Sequence, residues 1–229
     1  MPHQSGIGNA MAIGRSEDAN APRPRLYLVS PALEDPRAFG AALSDAFGAA
    51  DFAALLLRLA PSDERTKINR IKALAPLVQK AAAALILDGH PELVAKSGAD
   101  GAHLSGIDAF MDAVEQLKPD WIAGAGGFFT RHDAMLAAEK SADYVMLGEP
   151  NERGHRQPFD DIVDRVSWWA EVFQVPCVAY AARLEEVAPL AQAGADFIAL
   201  GDFVFGDQAR VAANVMAAMQ QLATTDALA

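Results

Sequence analysis

The chain has 229 residues, 30 acidic side chains against 19 basic ones for a formal net charge of −11, a single cysteine and 52% apolar residues. That length suits one large domain or two small ones, with a core that needs no staples. One cysteine excludes a disulfide framework or a cysteine zinc cluster, the acidic balance argues against nucleic acid or an anionic membrane surface as partner, and no apolar run approaches the ~20 residues of a membrane span. A cytoplasmic, reducing location is the expectation, and composition leaves a homo-oligomer open.

Residues 1–24 are polar, rich in Gly, Ser, Asn and Pro, and carry no period, so they read as a disordered N-terminal tail. From Arg25 on, short apolar runs alternate with helical stripes. The runs are Leu26–Val29, Phe52–Leu57, Ala83–Leu87, Gly101–Leu104, Trp121–Ala125, Tyr144–Leu147, Cys177–Tyr180 and Phe197–Leu200. Strands of a parallel sheet covered on both faces read this way. Between them, Asp35-Pro36 supplies an N-cap with proline at the first helical position, and Gly48 closes that helix. Ser62-Asp63-Glu64 opens the next, with Ile68, Ile71, Leu74, Ala75 and Val78 as its apolar stripe. Thr130 and Asp133 form a capping box. Later stripes run through Ile162, Val163, Val166, Trp169 and Phe173, through Leu184, Val187 and Leu190, and through Val211, Val215, Met219 and Leu222.

Eight strands, each followed by a helical or short connecting segment, predict a (β/α)8 TIM barrel over residues 25–222, with 223–229 as a C-terminal tail. An open doubly wound sheet is the alternative, but Gly124-Ala-Gly126-Gly127 lacks the third glycine of a dinucleotide fingerprint. A repeat supports the barrel. Ser97-Gly-Ala-Asp100, Ser141-Ala-Asp143 and Ala193-Gly-Ala-Asp196 each end a helix, turn, and enter a strand. These turns fall at the bottom of the barrel, so the three aspartates read as turn formers.

Barrel chemistry sits past the C-terminal strand ends. There the sequence offers Arg58, Asp88-Gly89-His90, Asp108, Gly126-Gly127-Phe128-Phe129-Thr130, the loop Glu149 to Pro158, and Gly201-Asp202. Arg58 suits a phosphate or carboxylate, or an ion pair with a rim acid. Asp108 suits Mg²⁺ or a helix cap. The glycines before Thr130 leave N–H groups for an anion, or form a tight turn. Arg153, His155 and Arg156 are the dense basic cluster of the long loop, fit for a lid over a small phosphorylated metabolite or for a mobile surface loop. His103, inside a strand, reads as a satisfied core histidine, and His90 and His132 as surface residues. One of Trp168 and Trp169 should pack on the barrel.

The order of landmarks resembles the thiamine phosphate synthase family: Leu26-Tyr-Leu-Val29, Leu57-Arg58, Ser97-Gly-Ala-Asp-Gly-Ala-His-Leu104, Gly124 to Thr130, Ser141-Ala-Asp-Tyr-Val-Met-Leu-Gly148, Val175-Pro176 and Ala193-Gly-Ala-Asp196. The resemblance spans about Leu26 to Leu222 and implies a (β/α)8 barrel that joins hydroxymethylpyrimidine diphosphate to a thiazole phosphate with Mg²⁺, releasing diphosphate. It points to Arg58 and Arg156 as catalytic residues, with Gly126, Gly127, Thr130, Glu149, Arg153, His155, Gly201 and Asp202 contacting substrate, and it implies Asp108 at the metal, with Asp88 as the candidate second carboxylate. The family's Q-x-R-E-K string reads Leu59 and Ala60 after Arg58, and its Asn-Asp falls on Asp88-Gly89, so one of the family's Mg²⁺ carboxylates is absent there. Its fifth-strand serine is Gly127, its lysine falls on Arg156 and its threonines on Arg153 and His155. The Gly-x-Gly-Gly reads Ala179-Tyr-Ala-Ala182, and the last serine is Asp202. The related tautomerase branch carries a histidine where this chain has Phe129. Three activities stay open at this point: the transferase, a non-catalytic binder of a phosphorylated metabolite, and a different metal-dependent enzyme on the same scaffold.

Overall fold

The computed structural model describes residues 23–128, 130–151 and 153–225. Eight parallel strands close into a barrel in sequence order. They are β1 (Arg25–Val29), β2 (Phe52–Leu57), β3 (Ala84–Asp88), β4 (Gly101–Ser105), β5 (Ile122–Gly126), β6 (Tyr144–Leu147), β7 (Cys177–Ala181) and β8 (Phe197–Leu200). The helices between and after them are α1 (Pro36–Ala49), α2 (Glu64–Lys80), α3 (Val94–Ser97), α4 (Ile107–Leu117), α5 (Arg131–Glu139), α6 (Phe159–Val172), α7 (Val187–Gln192) and α8 (Val211–Thr225). The open-sheet alternative is excluded by closure of β1 on β8. The disordered-tail expectation for 1–24 lies almost wholly outside the described residues, as does Phe129. At the other end α8 runs to Thr225, beyond the boundary expected at Leu222.

The helix signals act where the sequence places them. Asp35 caps α1 by accepting the Arg37 N–H, Asp63 caps α2 by accepting the Thr66 N–H, and Thr130 with Asp133 forms a complete capping box on α5. Gly48 does not close α1, which continues to Ala49 with its C-cap at Ala50 in extended geometry. The reason is that no left-handed residue is used there: Gly48 is absent from the positive-φ positions. Trp169 is fully buried and its indole N–H donates to the Val175 carbonyl at 2.8 Å, whereas half-buried Trp168 lies beneath the Arg131 guanidinium.

Two apolar layers result from the period-2 alternation of the strands. One lies between barrel and helices and contains Leu55, Leu57, Leu85, Leu87, Val145 and Leu147 among many others. The other fills the barrel with Tyr27 and Val29, Ala54 and Leu56, Ala84 and Ile86, Tyr144 and Met146, Val178 and Tyr180, Phe197 and Ala199.

The repeated aspartates close the bottom of the barrel in pairs. Asp100 donates its N–H to the Leu85 carbonyl while its carboxylate accepts the Leu85 N–H, each at 2.8 Å. Asp143 does the same with Ala123 (2.9 and 2.7 Å), and Asp196 with Cys177 (3.0 and 2.8 Å). Each joins an even strand to the odd strand before it and satisfies a strand-entry N–H. These aspartates are structural, as their position at the bottom face implied.

Candidate active site at the barrel mouth

Strand parity decides which side chains reach the mouth. Arg58 stands two residues after Leu56, Asp88 two after Ile86, and Ser105 two after His103, so all three continue the inward-facing rows. Arg58 lies 3.3 Å from Asp88 through Nε and 3.3 Å from Asp202 through Nη1. Burial opposes the charge on Arg58, but the Tyr180 hydroxyl and the carboxylates of Asp88 and Asp202 raise its pKa above the ordinary value. Burial also raises the pKa of Asp88, in spite of the opposing pull of His103 and Arg58. Arg58, Asp88, Ser105 and Glu149 line a cavity of about 470 Å³, within the ~300–1,000 Å³ usual for small-molecule sites. A second cavity of about 620 Å³ is lined by Ser105, Asp108, Gly127, Asn151 and Arg153 among others. The two share Ser105, Ala109 and Asn151 as walls.

The structure therefore gathers Arg58, Asp88, Asp108, Gly127, Glu149, Arg153 and Asp202 around one end of the barrel. Asp108 is exposed in the first turn of α4. Among the described residues no three His, Cys, Asp or Glu side chains cluster as a protein-only metal cage. Thr130 spends its hydroxyl capping α5. His155 is exposed, and its N–H, like that of Arg153, donates to the Asn151 side chain, which organises the loop. Gly201 is buried beneath Tyr180, whose hydroxyl would lie 2.5 Å from an added Cβ.

Arg156 is not among the residues lining the two cavities. Its Nε donates to the Gly148 carbonyl (2.6 Å), its Nη2 to the Tyr180 carbonyl (3.0 Å), and its two Nη groups to the buried Glu186 carboxylate (3.0 and 2.7 Å). The expected diphosphate contact thus meets a guanidinium already engaged by protein acceptors. Glu186 also accepts the Ala182 N–H at 2.8 Å and pairs with Arg183. Burial disfavours its charge, but Arg156 and the Ala182 N–H hold its pKa below the usual carboxylate value.

A buried polar chain that local sequence spacing does not reveal runs inside the barrel. His103 is fully buried. Its Nε2–H donates to Glu149 (3.0 and 3.2 Å to the two oxygens), and its Nδ1 lies 3.1 Å from the Tyr144 hydroxyl. Tyr144 in turn meets the Tyr27 hydroxyl at 2.9 Å. Burial opposes the imidazolium, yet the Glu149 carboxylate raises the His103 pKa above its ordinary value. The hydroxyls can donate in either direction, so the chain serves both forms of the ring. His103 is a satisfied core histidine, as expected, but what satisfies it is a site carboxylate. The signal was the inward parity shared by Tyr27, His103 and Tyr144. His132 is exposed as expected; His90 is half-buried, bonded to Lys67 and Glu92.

Comparison with known proteins decides the family. The family described as Thiamine monophosphate synthase matches residues 26–204. The chain belongs to that family. It is 39% identical over 194 residues to the thiamine-phosphate synthase of Rhodospirillum centenum, covering 83% of this chain and 94% of that one. It is 33% identical over 204 residues to the thiamine-phosphate synthase of Hyphomonas neptunium, covering 86% and 92%. The thiamine phosphate pyrophosphorylase structure from Pyrococcus furiosus superposes with a TM-score of 0.70 at 19% identity, over 88% of this chain and 96% of that one, which supports the barrel fold. Among the described residues no helix is long and apolar enough to cross a membrane. Membership in the thiamine monophosphate synthase family agrees with the landmark order read from the sequence, from Leu26 to Asp196.

Proposed function

We propose that this chain joins hydroxymethylpyrimidine diphosphate to thiazole phosphate, forming thiamine phosphate and releasing diphosphate. The observation that carries the reading, alongside family membership, is the convergence of Arg58, Asp88, Asp108 and Arg153 on two adjoining cavities at the top of the barrel. The bond that breaks joins the pyrimidine methylene carbon to a diphosphate oxygen, which leaves with the electron pair. The thiazole nitrogen lone pair then forms the new C–N bond. Arg58 offers fixed positive charge to the departing group; removing one such stabilising group typically costs ~3 kcal/mol of barrier. Arg153, at the wall of the larger cavity, would meet a second phosphate.

The family implies Mg²⁺. Two carboxylates on cavities that share walls suit the mode in which Mg²⁺ is held by one or two carboxylates together with substrate phosphates. Asp88 and Asp108 would hold it, and bound there it would neutralise diphosphate charge. Asp202 is mostly exposed and reaches Arg58 only at 3.3 Å, so its carboxylate has room to give way to a phosphate.

The test is product formation: purified protein, both substrates and Mg²⁺ should yield thiamine phosphate, and Arg58→Ala should lower kcat/KM at least a hundredfold. No product above a no-enzyme control would overturn the transferase reading. Calorimetric binding of thiamine phosphate without turnover would then favour the non-catalytic binder.

A further inference from the structure

Glu149 has a place in the site that the scheme above does not use. It follows Gly148, whose φ of +88° takes the chain out of the alternation of β6. That turn brings the Glu149 side chain across β5, where it packs directly on Gly126: a Cβ there would lie 2.0 Å from Oε1 and 2.9 Å from His103 Cε1. The side chain is 6% exposed, and His103 holds both carboxylate oxygens. His103 is itself fixed from behind by Tyr144 and Tyr27. The carboxylate is thus locked by glycine below, imidazole at its side and two tyrosines in series.

A carboxylate offers about four acceptor positions, and a single N–H does not exhaust them. Glu149 lines the same cavity as Arg58 and Asp88. That cavity therefore presents a guanidinium suited to an anion and, apart from it, a rigid, desolvated acceptor suited to an N–H donor. A flat heterocycle carrying an amine and a phosphate ester has both complements. We infer that the Glu149 carboxylate, fixed by His103, accepts a hydrogen bond from the exocyclic amine of a phosphorylated aminopyrimidine and is a specificity-determining residue of this chain. The identity of the ring rests on the reading given under Proposed function; the placement of the acceptor does not.

Calorimetry without the thiazole partner tests this. The probes are the aminopyrimidine methyl diphosphate and the same ester lacking the amino group, so that only the donor differs. Wild type should bind the amino compound about tenfold or more tightly, as expected for a hydrogen bond to a buried charge. In Glu149→Gln the preference should fall to about threefold or less, while Glu149→Asp, which keeps the charge, should retain part of it. An unchanged preference in Glu149→Gln, or no preference or no binding in wild type, overturns the inference. Thiamine phosphate formation with no amine preference would sink this inference alone. A preference without product would sink the transferase reading alone.

Discussion

The Arg156 guanidinium grips the Glu186 carboxylate with two parallel hydrogen bonds of 3.0 and 2.7 Å, and in doing so ties the loop after β6 to the turn after β7. Glu186 is 2% exposed and receives the Ala182 N–H as well. Glu186→Ala would leave a largely buried guanidinium and a backbone donor unmet. A loss of about 3 kcal/mol of unfolding free energy is expected, since breaking a buried pair strands its partner. Arg156→Lys should lose less, because an ammonium keeps the charge but not the fork. Urea denaturation measures both; a Glu186→Ala loss under about 1 kcal/mol would show the clamp to be idle.

The same carboxylate sets a pH dependence. Its folded pKa lies below the ordinary 4.5, because Arg156 and the Ala182 N–H outweigh burial. A depressed acid contributes stability that is present above the unfolded value and is lost as pH falls through the folded one. Wild type should therefore be more stable than Glu186→Gln near neutrality, and the gap should narrow as pH drops below 4.5. Equilibrium unfolding of both proteins at pH 6, 4.5 and 3.5 checks this; a gap that stays constant would mean that some other group carries the acid limb.

The barrel was legible because its determinants are local. Apolar runs such as Phe52–Leu57 mark strands covered on both faces, and Asp35-Pro36, Asp63 and the Thr130–Asp133 box mark helix starts within a few bonds of the residues that use them. Arg58, Asp88 and Asp108 were legible as mouth residues because strand ends fix position. What the sequence hid is partner choice across the barrel. Arg156 meets Glu186 at a separation of 30 residues and His103 meets Glu149 at 46. Closure of the sheet brings these pairs together, and no spacing rule along the chain reports it. Strand parity puts His103 on the inward row, but only the left-handed turn at Gly148 delivers Glu149 to it.

The metal reading makes a separable prediction at Asp108. Its side chain is exposed and caps nothing in α4, whose N-cap is Gly106. Asp108→Asn should shift stability by less than about 0.5 kcal/mol, the range usual for exposed positions. It should nevertheless weaken Mg²⁺-dependent binding of diphosphate about tenfold, since a carboxylate would leave a site with few protein oxygens. Calorimetry of diphosphate with and without Mg²⁺ reads the effect; equal Mg²⁺ enhancement in wild type and variant would remove Asp108 from the metal.

The bottom face gives the cleanest test of the fold's internal repeat. Asp100, Asp143 and Asp196 each exchange two hydrogen bonds with one residue, Leu85, Ala123 and Cys177 respectively, and Asp143 also accepts from the Lys118 ammonium. Replacing any of them by Ala keeps the backbone bond and removes one hydrogen bond to a strand-entry N–H, a loss of about 0.5–1.5 kcal/mol, with the Lys118 pair lost in addition at Asp143. The three carboxylates bond N–H groups on different strands, Leu85 on β3, Ala123 on β5 and Cys177 on β7, so the losses should add to within about 0.5 kcal/mol in the double variants. Substrate KM should stay unchanged, because the substitutions lie at the opposite end of the strands from Arg58 and Glu149. Strong coupling between Asp100→Ala and Asp196→Ala would mean that the pairs act through the closed barrel as one unit, and a KM shift would mean that strand register transmits from bottom to mouth.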